Sequence, residues 1–450
     1  MSSMNEHHDG AFAPTPQPMD SIASPSASAS ANIPRYSWWV LAILVGVYSC
    51  CWTDRYLMVI LIEPIAKDLH LNDAQMGLLT GFAFTLVYSF AGLPFAYWAD
   101  RKSRKLVLSI AVFGWSIATM LSSLGRNFVT MAMARLGVAT FEAGCSPPAY
   151  SLISDYFPAS HRARAIAIYG LGISFGIWAG LTLGGAVNAH YGWRAAFIVL
   201  GLPSLVMATL VLLFVREPRR GQHERTVDRR YSAAQAARLM AVRPSFIGSA
   251  FAMALLTITS TSFVTWAPTY LIRARGLDTE QVGFIIGSIS GFSGIAGSLA
   301  MGWLCDRLAG RDPRWYLWLP LIGFALFLPF ERLFFMTTGT WSYVFYFLAS
   351  MASSTYIAPL FSVGQLVLPA RVRALGAAVM LMVLNLLGMG FGSYAVGLLS
   401  DHFKPTLGDE SLRAAAMWLQ ISALLGFVCL AVAARSIRRD VEMTERSVSA

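Results

Sequence analysis

The sequence predicts an all-α membrane protein of twelve transmembrane helices arranged as two six-helix bundles. Three observations carry this. Of 450 residues, 56% are hydrophobic and only 13% are charged, with a mean hydropathy of +0.56. The apolar residues fall in long runs of about 20 residues or more, the length that crosses a bilayer at about 1.5 Å of rise per residue. The chain also divides into two apolar halves separated by a basic segment.

The first six spans are expected near 38–63, 75–99, 104–125, 127–153, 165–187 and 193–215, and the second six near 246–272, 281–305, 314–335, 341–367, 374–400 and 412–434. Residues 1–35 are rich in Ser, Ala and Pro and lack the apolar core of a cleavable signal, so they read as a disordered cytoplasmic tail. The bundles then cover 36–215 and 246–435, with a basic linker at 216–245 and a short tail at 436–450. Placing both termini inside puts 24 of the 34 Lys and Arg residues in inner segments. The outer loops hold 8 and the spans 2, so the termini and linker are expected to be cytoplasmic, in an inner or plasma membrane.

The net charge of +10 raises nucleic acid as a partner, but the basic residues sit in short loops rather than on one soluble face. The seven histidines lie in tails and loops without metal-ligand spacing, and there is no Gly-x-Ser-x-Gly nucleophile turn or phosphate-binding loop. An enzyme, a resident metal or cofactor, and direct ATP drive are therefore not expected. Cys50, Cys51, Cys145, Cys305 and Cys429 all fall in or at the ends of spans and read as packing residues.

Full charges inside the spans are the informative exceptions. Asp54 and Arg55 interrupt the first run, and Arg135 and Glu142 the fourth. Each costs roughly 2.5–3.5 kcal/mol at a helix centre, so each needs a partner or water. Arg135 and Glu142 share a face but stand about 10 Å apart along the axis, too far to pair well. Asp54 and Arg135 lie at about the same depth, which makes them the expected ion pair. Arg55 and Glu142 are expected to point along or into a central cavity. The second half carries hydroxyls instead, on Thr257, Ser260 and Tyr356 among others, together with Asn385, and no full charge is expected in mid-span there. Phe84, Tyr88, Tyr356 and Asn385 are candidates for the cavity wall.

The halves repeat. Asp100-Arg101 ends the second span and Asp306-Arg307 the eighth, 206 residues apart; Arg162-Ala163-Arg164-Ala165 and Arg371-Val372-Arg373-Ala374 open the fifth and eleventh, 209 apart. Parallel six-span repeats belong to transporters with the substrate site between the halves. The loop Ala96-Tyr97-Trp98-Ala99-Asp100-Arg101-Lys102-Ser103-Arg104-Lys105 and its counterpart Gly302-Trp303-Leu304-Cys305-Asp306-Arg307 resemble the Gly-x-x-x-Asp-Arg-x-Gly-Arg-Lys loop of the major facilitator superfamily, with Ala96 and Ser103 replacing two glycines. That resemblance covers nearly the whole chain after residue 35 and implies gate roles for Asp100, Arg101, Asp306 and Arg307. The fifth span, with glycines at 172, 176, 180 and 184, is similar to the glycine-rich span of the superfamily's antiporters, with Leu181 where proline is usual.

Asp54-Arg55, the second-span stretch Phe84 to Phe90, and Arg135 and Glu142 of the fourth span are together similar to the spinster branch. Animal members of that branch export sphingosine-1-phosphate and related lysolipids. The expected function is a monomeric, proton-coupled carrier of lipid-like small molecules in contact with membrane lipids. Burial beside an arginine makes Asp54 the expected proton-coupling carboxylate, with Glu142 as a second titrating group or the contact for a cationic head, and Arg55 and Arg135 as charge partners or ligands for an anionic one. A cavity charged on one side and hydroxylic on the other suits an amphiphile. An organic-anion or drug exporter, or a transporter-fold receptor, remains open on the same residues.

Overall fold

The computed structural model describes residues 33–219, 233–369 and 372–449, so most of the expected tail and half of the linker lie outside the described residues. Nine helical stretches among them are long and apolar enough to cross a membrane. Twelve passes result once local breaks are counted, because three expected spans are hidden by turns.

The first pass is α1 (Arg35–Ile60), followed by the short α2 (Ile62–Leu69). The second pass begins with α3 (Asp73–Gly77), capped by Asn72, whose side chain accepts from the Gln75 amide while Gln75 returns to the Asn72 amide. It widens through a π turn at Leu78–Phe82 and continues as α4 (Ala83–Arg101). The third is α5 (Arg104–Ser122).

The fourth pass is broken: α6 (Phe128–Glu142) stops at Ala143 and α7 (Ser146–Tyr156) restarts with prolines in its first turn, where a missing N–H costs nothing. Passes five and six run together as α8 (Ala159–Phe214), divided at Gly192, whose φ of 80° and ψ of 165° turn the chain back.

The short α9 (Ala233–Ala241) lies in the linker. The second bundle holds α10 (Pro244–Arg275), α11 (Thr279–Ala309) and α12 (Trp315–Met336). Its tenth pass is α13 (Thr340–Ser353) with α14 (Ile357–Val367). The eleventh joins α15 (Arg373–Val383), a second π turn at Leu384–Gly390 and α16 (Phe391–Leu407). A single 3-10 turn at Gly408–Glu410 leads into the twelfth pass, α17 (Ser411–Ser449).

The halves meet where the first arm of α8 packs on α11 and where α3, α4 and their π turn pack on α16 and the second π turn. The glycine face of α8 sets the position of α1. A Cβ at Gly176 or Gly180 would come within 2.5 Å of Ser49 O or Thr53 O, so only hydrogen lets the two backbones approach this closely. Asp54 and Arg55 are thereby held against the rest of the first bundle.

In the second bundle Glu331, five residues before the end of α12, is buried at 1% exposure, so this half carries a buried acid near the end of a span rather than in mid-span.

Candidate functional site

Consecutive residues on α1 point about 100° apart, and this splits Asp54 from Arg55. Asp54 turns into the bundle and is buried; Arg135 Nη1 lies 3.2 Å from its Oδ2, and Thr119 Oγ1 of α5 donates to its Oδ1 at 2.7 Å. Both carboxylate oxygens are thus satisfied. Arg55 instead reaches Glu142 through Nε and Nη2, and Cys51 Sγ donates to the same Glu142 oxygen at 3.2 Å.

Glu142 is the last residue of α6, at the helix end whose dipole repels a negative charge, so the guanidinium offsets both burial and dipole. Its other oxygen, Oε2, is buried without a hydrogen-bond partner. Glu142, expected to point along or into a central cavity, is fully buried and held by Arg55, and Arg55 is the most exposed of the four charged side chains, at 19%.

Aromatic rings complete the surroundings. The Arg55 guanidinium sits 4.8 Å from the Tyr88 ring centroid, 5.2 Å from Trp52 and 5.3 Å from Phe84. Phe84 also lies 5.2 Å from Arg135, so one ring stands beside both cations, and it stacks on Tyr88 with centroids 6.2 Å apart. Phe84 and Tyr88 thus belong to the charged cluster rather than to a separate wall. Tyr56, one turn beyond Trp52, packs against the core that holds Tyr346 and Tyr356 of the second bundle.

In that bundle Tyr356 shares a 2.8 Å hydrogen bond with Thr257 and a 3.4 Å contact with Ser260, and Tyr346 shares one of 3.0 Å with Ser290. Asn385 is half-buried in the second π turn, where helical hydrogen bonding is already loosened. The structure does not bring Asn385 into hydrogen-bond contact with the four charges.

The end that carries α2, α3 and the turn at Gly192 is the far end; the end with α9 is the linker end. Among the described residues, the hydrogen bonds and ion pairs that join the halves gather toward the far end. Arg273 of α10 holds Glu63 at 2.7 Å and Asp73 at 2.8 Å. Ser400 Oγ donates to Asp73 at 2.7 Å, and Asp401 accepts the backbone amides of Asp73 and Ala74 at 3.0 and 2.8 Å. Asn188 Nδ2 donates to Thr279 at 2.9 Å. None of these residues stands out in the sequence, because charges at span ends are ordinary.

At the linker end Asp100, Arg101, Asp306 and Arg307 are exposed, with Arg101 over Tyr97 at 3.8 Å and Arg307 over Trp303 at 5.4 Å. The buried cation of that loop is Arg104, which binds Asp155 at 2.5 Å and Glu217 at 2.8 Å. Glu217 also takes the Ser103 hydroxyl and the Lys105 amide, fastening the start of the linker to the start of α5. Burial pushes the Glu217 carboxyl up, but the Lys105 amide, Arg104 and Ser103 outweigh it and hold it below the usual glutamate value.

A family model described as Major Facilitator Superfamily matches residues 44–393. The chain belongs to that superfamily. An MFS-type efflux pump of Mycolicibacterium smegmatis is 33% identical over 91% of this chain and 95% of its own length. The sphingosine-1-phosphate transporter of Danio rerio is 26% identical over 84% of this chain and 78% of its own. A solved bacterial homolog to the human lysosomal transporter spinster, inward-facing and unoccupied, superposes with a TM-score of 0.83 at 26% identity, over 90% of this chain and 98% of that one. The protein is therefore a spinster-like major facilitator transporter of small molecules, and not an enzyme. The superfamily's two-bundle architecture places the charged cluster in the first bundle, with Tyr56 at its border with the second.

Proposed function

We propose that this protein is a proton-coupled secondary transporter that moves amphiphilic, lipid-like molecules across the membrane by alternating access. The observation that carries this reading is the division of four charges within the first bundle into two unlike pairs. Asp54 and Arg135 are sealed, with Thr119 completing the site, which suits a group that exchanges a proton rather than a substrate. Arg55 with Glu142 is partly open and framed by Trp52, Phe84 and Tyr88, which suits an ionic head group on an apolar body. In this reading the hydroxyls of Tyr356, Thr257 and Ser260, buried together here, and the amide of Asn385 would meet the rest of the molecule once that cluster opens.

Protonating Asp54 removes an attraction between α1 and α6, and this differential interaction is what coupling requires. The contacts across Arg273 at the far end, with Asp100, Arg101, Asp306 and Arg307 exposed at the other, support a state open toward the linker. The excess of basic residues at that end supports cytoplasmic termini and an inner or plasma membrane. The protein acts as a monomer in this reading.

Uptake of a fluorescent lysolipid into proteoliposomes, with and without an imposed pH gradient, tests the proposal. Gradient-dependent accumulation is expected. A second reading, export of drug-like organic ions, is favoured by the likeness to the mycobacterial efflux pump. Gradient-driven movement of an organic dye with no lysolipid flux would select it.

A further inference from the structure

We propose that the linker end of α17 carries a binding site for an anionic phospholipid of the surrounding bilayer, separate from the transport pathway and independent of the substrate reading above. Leu425, Val428 and Val432 form an exposed apolar lane on α17, at 54%, 61% and 47% exposure. Stepping onward by three and four residues, the same face reaches Arg435 and Arg439. A side-chain sequence that runs from exposed apolar to paired cationic marks the boundary between hydrocarbon and head groups.

At that boundary a shallow, open surface recess of about 280 Å³ lies between α17 and the start of α10, lined by Pro244, Val432, Arg435, Ser436 and Arg439. Arg435 makes no hydrogen bond or ion pair with another described residue. Arg439 approaches only Asp440, Nε to Oδ1 at 3.7 Å, which leaves the outer nitrogens of its guanidinium uncommitted. Arg438, by contrast, is spent on Asp312 at 2.6 Å.

The start of α10 is not the anion site, because Asp440 already caps it by accepting the Ser245 amide at 3.0 Å and the Ser245 hydroxyl. Two open guanidinium groups facing one recess match a phosphate, which guanidinium binds in forked geometry. The apolar lane gives the acyl chains a bed, extended on α10 by exposed Ile247 and Phe251. A phosphate that ends in choline brings its own cation against these arginines, so phosphatidylglycerol is favoured over phosphatidylcholine.

The test is native mass spectrometry of purified full-length protein titrated with phosphatidylglycerol or phosphatidylcholine. Wild type should retain phosphatidylglycerol preferentially. Each arginine removed should weaken retention about fivefold, so R435Q/R439Q should lose about 25-fold. R435K/R439K should retain more than the glutamine pair, and R311Q/R332Q, which removes two arginines elsewhere, should match wild type.

Equal loss in R311Q/R332Q, or undiminished retention in R435Q/R439Q, would overturn the site. If the glutamine pair does not fold, Val432→Asp keeps both arginines and places a carboxylate in the lane; undiminished retention there overturns the proposal as well. Displacement of phosphatidylglycerol by glycerol phosphate at equal concentration would assign the recess to free phosphate and overturn the lipid.

Discussion

Arg273 Nη1 lies 2.8 Å from Asp73 Oδ2 across the boundary between the two bundles, and the same guanidinium holds Glu63 on α2. One cation from the second half thus binds two carboxylates of the first, with all three side chains at or below 8% exposure. In the alternating-access reading, opening the far end breaks these contacts, so they stabilise one transport state over the other. Arg273→Gln should raise the far-end-open population by roughly tenfold or more, since removing one partner of a buried ion pair costs about 3–5 kcal/mol. Spin labels at exposed Tyr191 and Thr338 would report the distance across that end; an unchanged distribution would contradict the role.

Glu331 gives a different kind of prediction. Its Oε2 accepts from Gln420 Nε2 at 3.0 Å, its Oε1 is buried without a hydrogen-bond partner, and no described residue forms an ion pair with it. Glu331→Leu alone should destabilise the protein by about 1–3 kcal/mol, because the Gln420 amide loses its best acceptor. The double variant E331L/Q420L removes both polar groups and should recover most of that loss. Melting temperatures of the two variants decide it: no recovery in the double variant would mean that the acid has another partner or function.

The Glu217 latch sets a pH dependence. Its folded carboxyl is held below the ordinary glutamate value of about 4.3. A depressed folded value means that the contribution is fully present above the unfolded value and is lost as pH falls through the folded one. Wild type should therefore lose melting temperature more steeply below about pH 4.3 than Glu217→Gln, which should already be less stable at neutral pH. Parallel curves for the two proteins would show that the latch contributes nothing.

What could be read from the sequence follows from what the bilayer demands. Twelve passes are legible because each needs a long apolar run, and the four charges of the first bundle are legible because each interrupts one. The depth of Asp54 and Arg135 follows from helix rise, so their 3.2 Å contact is accessible by counting. The Arg55–Glu142 pair is not, because it depends on how far an arginine extends along α6. Glu63, Asp73, Arg273 and Asp401 are invisible for another reason: charges at span ends are ordinary, and which of them meet across the two bundles depends on tertiary packing that nothing local in the sequence encodes. The π turns at Leu78–Phe82 and Leu384–Gly390 follow no periodicity that apolar patterning could reveal.

The pair formed by Asp54 and Arg135 leads to the decisive experiment on coupling. Asp54→Asn removes the charge but keeps an oxygen that can accept from Arg135 or Thr119, and so imitates the protonated acid in place. If Asp54 is the coupling group, the variant should melt within a few degrees of wild type while pH-gradient-driven flux falls by about tenfold or more, since its protonation state no longer changes. Exchange down a substrate gradient should survive. If Arg55 and Glu142 receive the substrate's head group as proposed, Glu142→Gln should act on another step, raising the substrate concentration needed for half-maximal flux, because Arg55 loses its counter-charge. A structural lock between α1 and α6 predicts the opposite for Asp54→Asn: a large loss of melting temperature, with coupling intact in the protein that remains folded. Flux and melting measured on the same purified variants separate these outcomes. A stable Asp54→Asn protein that still follows the proton gradient would move the coupling site to Glu142.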